Sequence, residues 1–405
     1  MDLIRIEVYK LFDLPSCSFN TFLNEADSCL LMKGLAITSK GIEDIAALEI
    51  KELVNAECKT EENCVIFDFK KFEDLCLLCY KCQSVDRILY LLGSFEFKDF
   101  FKALEKFIDK IKFEGWMLKN KKIKIDCLRQ GTHDFKSVDV ETEAAAFLLK
   151  KLKSAKVEMR EHDIIFFFYV INQKCYFGVD FAGFELNKRG YKIFQHSASL
   201  RGTIAYALIR SSGFEKKEEM LDPFSRDGVI PIEAAIYSSD FPTNYYSKEK
   251  FAFLKLKLGI DFEKFFAPID KKIKKKKLEI YSFDHLFKFV DYSKKNAKIA
   301  GIDKQMNFSR VEIEWLDIKF TKQSIKRIVT SLPTSKSADL DKIYNEFFYQ
   351  SEFILKKDGT VAVISRLPEL AKKHALKHNF VAEKEKEIWS GEQMLNIIVF
   401  KKKNI

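Results

Sequence analysis

The period of apolar residues changes repeatedly along this chain, and each change marks an element. Leu30 to Thr38, LLMKGLAIT, is apolar almost throughout and predicts a strand. SKGIEDIAALEIKEL follows at helical spacing, with Ser39 as its expected N-cap. Cys64 to Phe69 predicts a second strand. DLCLLCYKCQSVDRILYLL then reads as one helix whose apolar side chains share a face. This β-α-β alternation predicts a small ferredoxin-like α+β unit over residues 28–94. Residues 1–27 are a mixed extension to which no role is assigned.

Residues 95–185 form a second unit. Phe101 to Ile111 predicts an amphipathic helix, Lys121 to Leu128 an alternating strand, and Arg129 to Phe135 a polar turn. Asp139 to Leu152 is a helix opened by acidic residues, which suit a helix N-terminus. Ile164 to Val170 and Gln173 to Asp180 predict a hairpin turning at Ile171 and Asn172. In residues 186–405 strands and helices alternate, as in a doubly wound sheet. Met220 and Leu221 close a short strand that Asp222 and Pro223 break. Gly228 lets the backbone turn, and an apolar helix starts at Val229. Next come a strand at Leu278 to Ser282, a helix at Phe287 to Ala300 with Gly301 as C-cap, and the apolar VEIEWLDIKF strand ended by Asp317. The strand Ile325 to Thr330 follows. Helices at 341–355 and 367–378 flank a strand at 359–365, and a hairpin, 380–388 with 394–401, closes the sheet.

Composition narrows the partners. A chain of 405 residues is expected to hold two to three domains, and 47% hydrophobic residues, 39 of them Phe, can fill their cores. The formal net charge is +10. Such an excess suits nucleic acid or another polyanion, and a Lys-rich composition with no ligand gives it equally. The same two readings hold for Lys150, Lys151, Lys153 and Lys156, and for the run from Lys271 to Lys277. No apolar run reaches about 18 residues, so no membrane span is expected. MDLIRIEVYK lacks a signal-peptide pattern, and a cytoplasmic location is expected. Nine cysteines in such a chain are not expected to form disulfides. Cys76, Cys79 and Cys82 have CxxCxxC spacing, but they fall on one apolar helix face, and no metal is expected there.

Three stretches carry a family resemblance. LDPFSRDGVIPIEAA resembles the first nucleotide-binding motif of class I methyltransferases, more closely the DPFCGSGTxxIEAA form of RNA methyltransferases that carry a THUMP domain. Asp222, Pro223, Phe224 and Gly228 match; Ser225 stands in place of Cys, and Arg226 in place of the first loop Gly. The strand, RxGxH turn, helix and hairpin of the second unit resemble the RNA-binding THUMP module itself. Asp180 to Lys192, DFAGFELNKRGYK, is similar to the DxSGxxLxKRGYR joint between THUMP and catalytic domains. His196 to Ala205, Phe251-Ala252-Phe253 and Lys295-Asn296-Ala297 resemble further family segments. The resemblance covers residues from about 30 to 400.

It implies an α/β fold in which a C-terminal Rossmann-like class I methyltransferase domain is preceded by ferredoxin-like and THUMP α+β domains. It implies S-adenosylmethionine as cofactor, approached by the loop at Asp222, Pro223, Phe224, Ser225 and Gly228. Asp284, past the second strand of a doubly wound sheet, is placed to accept ribose hydroxyls. Asp317, at the next strand end, is expected to accept the adenine amino hydrogen. The family's (N/D)PPY motif, which holds the target amine and stacks the flipped base, has its counterpart in Ser331, Leu332, Pro333 and Thr334. Only Pro333 matches, and Thr334 supplies no ring. Arg129, His133, Lys188, Arg189 and Lys192 are the expected RNA contacts. The resulting expectation is S-adenosylmethionine-dependent methylation of RNA, with the guanine N2 amine of tRNA as target. The rival is an RNA-binding paralogue that kept the fold and lost catalysis. A small-molecule methyltransferase would leave the basic N-terminal half unexplained.

Overall fold

The computed structural model describes residues 32–118, 121–334 and 339–403; the extension assigned to residues 1–27 lies outside the described residues. The N-terminal half runs β1 (Met32–Ile37), α1 (Glu43–Val54), β2 (Cys58–Glu61), β3 (Cys64–Phe69), α2 (Phe72–Lys81) and β4 (Arg87–Glu96). It continues with α3 (Phe100–Lys110), α4 (Gly115–Leu118), β5 (Lys122–Gln130), α5 (Ser137–Lys151), β6 (Lys156–Val157), β7 (Ile164–Ile171) and β8 (Lys174–Asp180). All eight strands share one sheet, in the order β2-β3-β1-β4-β8-β7-β5-β6. β4 pairs with β1 on one side and β8 on the other. The boundary expected at residue 94 therefore falls inside a strand that joins the two N-terminal units.

Three expectations are corrected here. The cysteine-bearing helix stops at Lys81, because Cys82 takes an extended conformation, and RILYLL is strand. β4 is buried on both faces, so its run of apolar residues imitates a buried helix. Ser39 is not the cap of α1. Its carbonyl accepts the Ile42 N–H in a turn, and the cap position falls to Ile42. Arg129 and Gln130 belong to β5 rather than to the turn after it. Cys76, Cys79 and Cys82 are fully buried in the core, where burial pushes their thiols well up from the usual range.

The C-terminal half runs α6 (Gly202–Ser211), β9 (Met220–Asp222), α7 (Val229–Ser238), α8 (Phe262–Asp270), β10 (Ile280–Asp284), α9 (Phe287–Ala300) and β11 (Asn307–Arg310). It ends with α10 (Leu316–Lys319), β12 (Ile325–Ser331), α11 (Leu340–Ile354), β13 (Leu355–Ser365), α12 (Pro368–Lys377), β14 (Phe380–Ser390) and β15 (Gln393–Lys402). The sheet order is β11-β10-β9-β12-β13-β15-β14, parallel until β15 enters antiparallel. Alternating residues feed two cores: Val329 packs with α6 and α7 on one face, Ile328 with α11 and α12 on the other. β9 is central. The chain leaves it toward β10 on one side and returns to β12 on the other, which opens a crevice at the carboxyl ends of these strands.

VEIEWLDIKF is the fourth correction. The strand lies earlier, at Asn307–Arg310, and Asp317 sits exposed in the short helix α10, its N–H held by Gln350 Oε1 at 3.0 Å. The stretch turns back to cover the sheet through Leu316 and leaves Trp315 and Ile318 in solvent. The two halves meet at Phe251-Ala252-Phe253, where Ala252 and Phe253 N–H groups donate to the carbonyls of Ala182 and Phe181. Among the described residues no helix is long and apolar enough to cross a membrane.

Candidate active site

The loop after β9 is set by its first and last residues. Asp222 is buried, accepting from Thr330 Oγ1 at 2.6 Å and from the Phe224 N–H at 3.2 Å. Burial raises its carboxyl to about 7, with the Thr330 bond opposing. It ties β9 to β12. At the other end Gly228 has φ 81, and a Cβ there would run into Ser293 on α9. This glycine serves close packing of the loop on a helix, in addition to the turn.

Asp284 ends β10 with only 3% of its surface exposed. Its carboxylate accepts the Leu286 N–H at 3.0 Å on one oxygen and the Arg226 N–H at 3.0 Å on the other. The loop backbone and the acid proposed for ribose thus touch directly. The Ser225 hydroxyl, beside them, is buried without a partner among the described residues. An orphaned hydroxyl and a carboxylate with lone pairs to spare, at the carboxyl end of a switch point, fit a polar nucleoside ligand. Asp317, in α10, is not at the end of β11, so the role given to it loses its geometric basis.

Asn296 contributes a part that its sequence motif did not disclose. Buried in α9, it donates to the carbonyls of Phe194, at 2.7 Å, and Asp227, at 3.0 Å, and accepts from the N–H groups of Ile193 and Phe194. One amide clamps the Ile193-Phe194 segment to the loop. The resemblance of Lys295-Asn296-Ala297 was the available signal; the three partner residues are remote in sequence.

Arg226 is the unexpected element. It takes φ 50, the left-handed region, so the loop keeps a glycine-like backbone while carrying a long side chain. The side chain turns inward. Its Nη2 donates to the Leu332 carbonyl at 3.3 Å. Burial lowers its pKa, and the nearby Asp222, Asp284 and Asp227 oppose that effect. Among the described residues none of these carboxylates forms a salt bridge with it.

The (N/D)PPY counterpart lies where β12 ends. Ser331 and Leu332 are buried, and the Pro333 carbonyl accepts from Tyr344 OH at 2.9 Å. The Leu332 N–H donates to Ile364 at 3.0 Å, which aims its carbonyl toward the loop. A cavity of about 90 Å³ adjoins the motif, lined by Ser199, Leu200, Arg226, Ser331, Leu332 and Thr334 among others. Among the described residues no aromatic side chain lines it.

The expected RNA contacts separate into two groups. Arg189 is corrected: it is buried, with Nε on Glu233 Oε1 at 2.7 Å, Nη1 on the Leu186 carbonyl at 2.5 Å, and Nη2 on the Gln83 carbonyl at 2.6 Å. Tyr191 OH and Gln83 Nε2 complete the shell of Glu233. A Cβ on Gly202 would strike this pair. Arg189 joins both halves of the molecule and is not available to phosphate. Lys192 is half-buried and donates to the Leu200 carbonyl. Lys188 is exposed, paired with Glu185 at 2.8 Å. Arg129 lies over the Phe135 ring at 5.5 Å with its Nε unpartnered among the described residues. His133 Nε2 contacts the Asn172 carbonyl at 2.7 Å. Arg129, Lys188, Lys192, Arg201 and Lys40 line a cleft of about 1310 Å³ between the halves; His133 lies outside it.

Comparison with known proteins gives concordant matches. The RMKL-like methyltransferase domain matches residues 189–395, and the THUMP domain matches residues 98–180. Over 377 residues the chain is 27% identical to the tRNA (guanine(6)-N2)-methyltransferase of Methanocaldococcus jannaschii, covering 89% of this chain and 97% of that protein. The protein of the same name from Archaeoglobus fulgidus is 24% identical and covers 92% of each. In fold, the chain resembles TrmN from Thermus thermophilus, with a TM-score of 0.68 at 19% identity over 92% of this chain and 100% of that one. The SMU.472 structure, complexed with SAH, gives a TM-score of 0.77 at 18% identity, covering 93% of this chain and 99% of that one.

Proposed function

The chain belongs to the RMKL-like methyltransferase domain family, and from that premise we propose that it methylates the N2 amine of a guanine in tRNA, with S-adenosylmethionine as donor. The observation that carries this reading is the meeting of two strand ends. The loop after β9, with Asp284 on its backbone, faces the Leu332 carbonyl at the end of β12. Bound there, the cofactor supplies an electrophilic methyl group. The protein's part is to hold the amine nitrogen in line with its lone pair exposed. Ser331 Oγ and the Leu332 carbonyl are the acceptors for the two amine hydrogens. Pro333 and the Tyr344 bond fix the turn that presents them. Asp284 takes ribose hydroxyls, and Ser225 adds a polar contact.

The cleft between the halves is the proposed path of the RNA, with Lys188 and Arg129 toward its phosphates. The relatives from Methanocaldococcus jannaschii and Archaeoglobus fulgidus are named for guanine 6, so that position is the first to assay. The test is transfer of labelled methyl to unmodified tRNA. The wild-type protein should label it. Ser331→Ala should slow transfer roughly tenfold or more with little change in tRNA affinity, because its bond matters in the reacting geometry. Transfer indifferent to Ser331 would remove it from the site. No transfer despite cofactor binding would favour an RNA-binding role instead.

A further inference from the structure

One cation sits where the two halves of the reaction must meet. Arg226 reaches from the cofactor loop to the Leu332 carbonyl, the same acceptor that the target amine requires. A guanidinium carries five N–H donors; among the described residues its side chain makes this single hydrogen bond. The bond is long for a charged donor, 3.3 Å against the roughly 2.7–2.9 Å of a strong one. The cavity it borders is about 90 Å³, far below the roughly 300 Å³ at which small-molecule clefts begin. A side chain that is half-buried, held by one long bond and laid across the acceptor can move.

We propose that Arg226 is a latch on the methyl-acceptor site: its guanidinium occupies the Leu332 carbonyl until cofactor and base displace it. The proposal rests on the function given above. The backbone separates its two duties. The Arg226 N–H holds Asp284 and would do so with any side chain, whereas the guanidinium alone reaches Leu332. The left-handed φ of 50 means that glycine at this position keeps the loop's shape without a steric cost. Removing the latch therefore leaves the loop intact.

The experiment is calorimetric titration of the full-length protein with S-adenosylhomocysteine, alongside labelled methyl transfer, for wild type, Arg226→Gly and Arg226→Lys. A thermal melt confirms that each variant folds. Arg226→Gly should bind S-adenosylhomocysteine about tenfold tighter, the upper end of what one ordinary hydrogen bond that no longer has to be broken contributes. Arg226→Lys, which keeps a cationic donor, should stay within about threefold of wild type. Weaker or unchanged binding by Arg226→Gly overturns the latch and makes Arg226 a cofactor contact or a bystander. If affinity rises in Arg226→Gly but no protein transfers methyl, Arg226 still closes the crevice through its bond to Leu332, and the methylation reading fails. If wild type transfers methyl and Arg226→Gly binds more weakly and transfers more slowly, the methylation reading stands and the latch fails. No binding by any of the three overturns both.

Discussion

Two arginines, Arg189 and Arg226, are taken into the protein among carboxylates, and their fates differ. Arg189 makes four hydrogen bonds to protein acceptors, two of them to Glu233, whose remaining capacity is met by Tyr191 and Gln83. Among the described residues Arg226 has three carboxylates nearby and a single carbonyl in hand. A buried charge whose partners are complete holds structure together; a half-buried one with a single protein partner keeps donors for water or a ligand. The first guanidinium reads as a rivet between the halves, the second as a moving part.

The strongest way to break this contrast is Arg189→Ala. It leaves Glu233 buried without its cation, and the expected loss is about 3–5 kcal/mol in urea unfolding of the full chain. A loss near zero would mean the pair is no rivet. A second test concerns Asp222, the acid beside Arg226 that gains no ion pair from it. Its folded-state value of about 7 stands above the ordinary carboxylate value. Its contribution to folding is thus fully present below pH about 4, and is lost as the pH rises through about 7, at a slope of roughly 1.4 kcal/mol for each pH step of one. Asp222→Asn keeps an acceptor for Thr330 and has no proton to lose. Relative to wild type it should gain stability steadily between about pH 4 and 7, and a gap that does not change with pH would show Asp222 ionised throughout. The smallest effect sharpens the contrast from the other side. Lys188 precedes Arg189 in the chain and stays in solvent. Lys188→Ala should reduce the slope of log affinity for tRNA against log salt by about 0.7–0.9, one phosphate's worth, with no change in melting. An unchanged slope would take Lys188 out of the RNA path.

What the sequence disclosed follows the range of the interactions concerned. The helix α9 was legible to the residue, because its apolar spacing and Gly301 are local signals. The turn at Gly228 was legible for the same reason. β4 was misread as helix because burial on both faces erases the alternation that distinguishes a strand. Asp317 was misplaced because VEIEWLDIKF has a strand's composition, and only packing against α11 turns it into a helix. The proposed acceptor motif rests on its position after β12, since three of its four residues depart from the family pattern. Arg189 looked like a phosphate contact within KRGY, since its partners Gln83 and Glu233 lie far off in the chain. The inward turn of Arg226 depends on Leu332, more than a hundred residues away, and no local pattern announces it.

The position of β4 has a consequence for how the protein is made. Its ten residues, RILYLLGSFE, pair on one edge with β1, which precedes them in the chain. The other edge has its partner only when β8 emerges, after α3 through β7 have been completed. Until then a long apolar strand presents open backbone groups to any neighbouring chain, the condition under which nascent chains aggregate. Truncation before β8 recreates that state permanently. Fragments ending near residue 96 should therefore be recovered as insoluble protein, whereas those carried through Asp180 close the sheet.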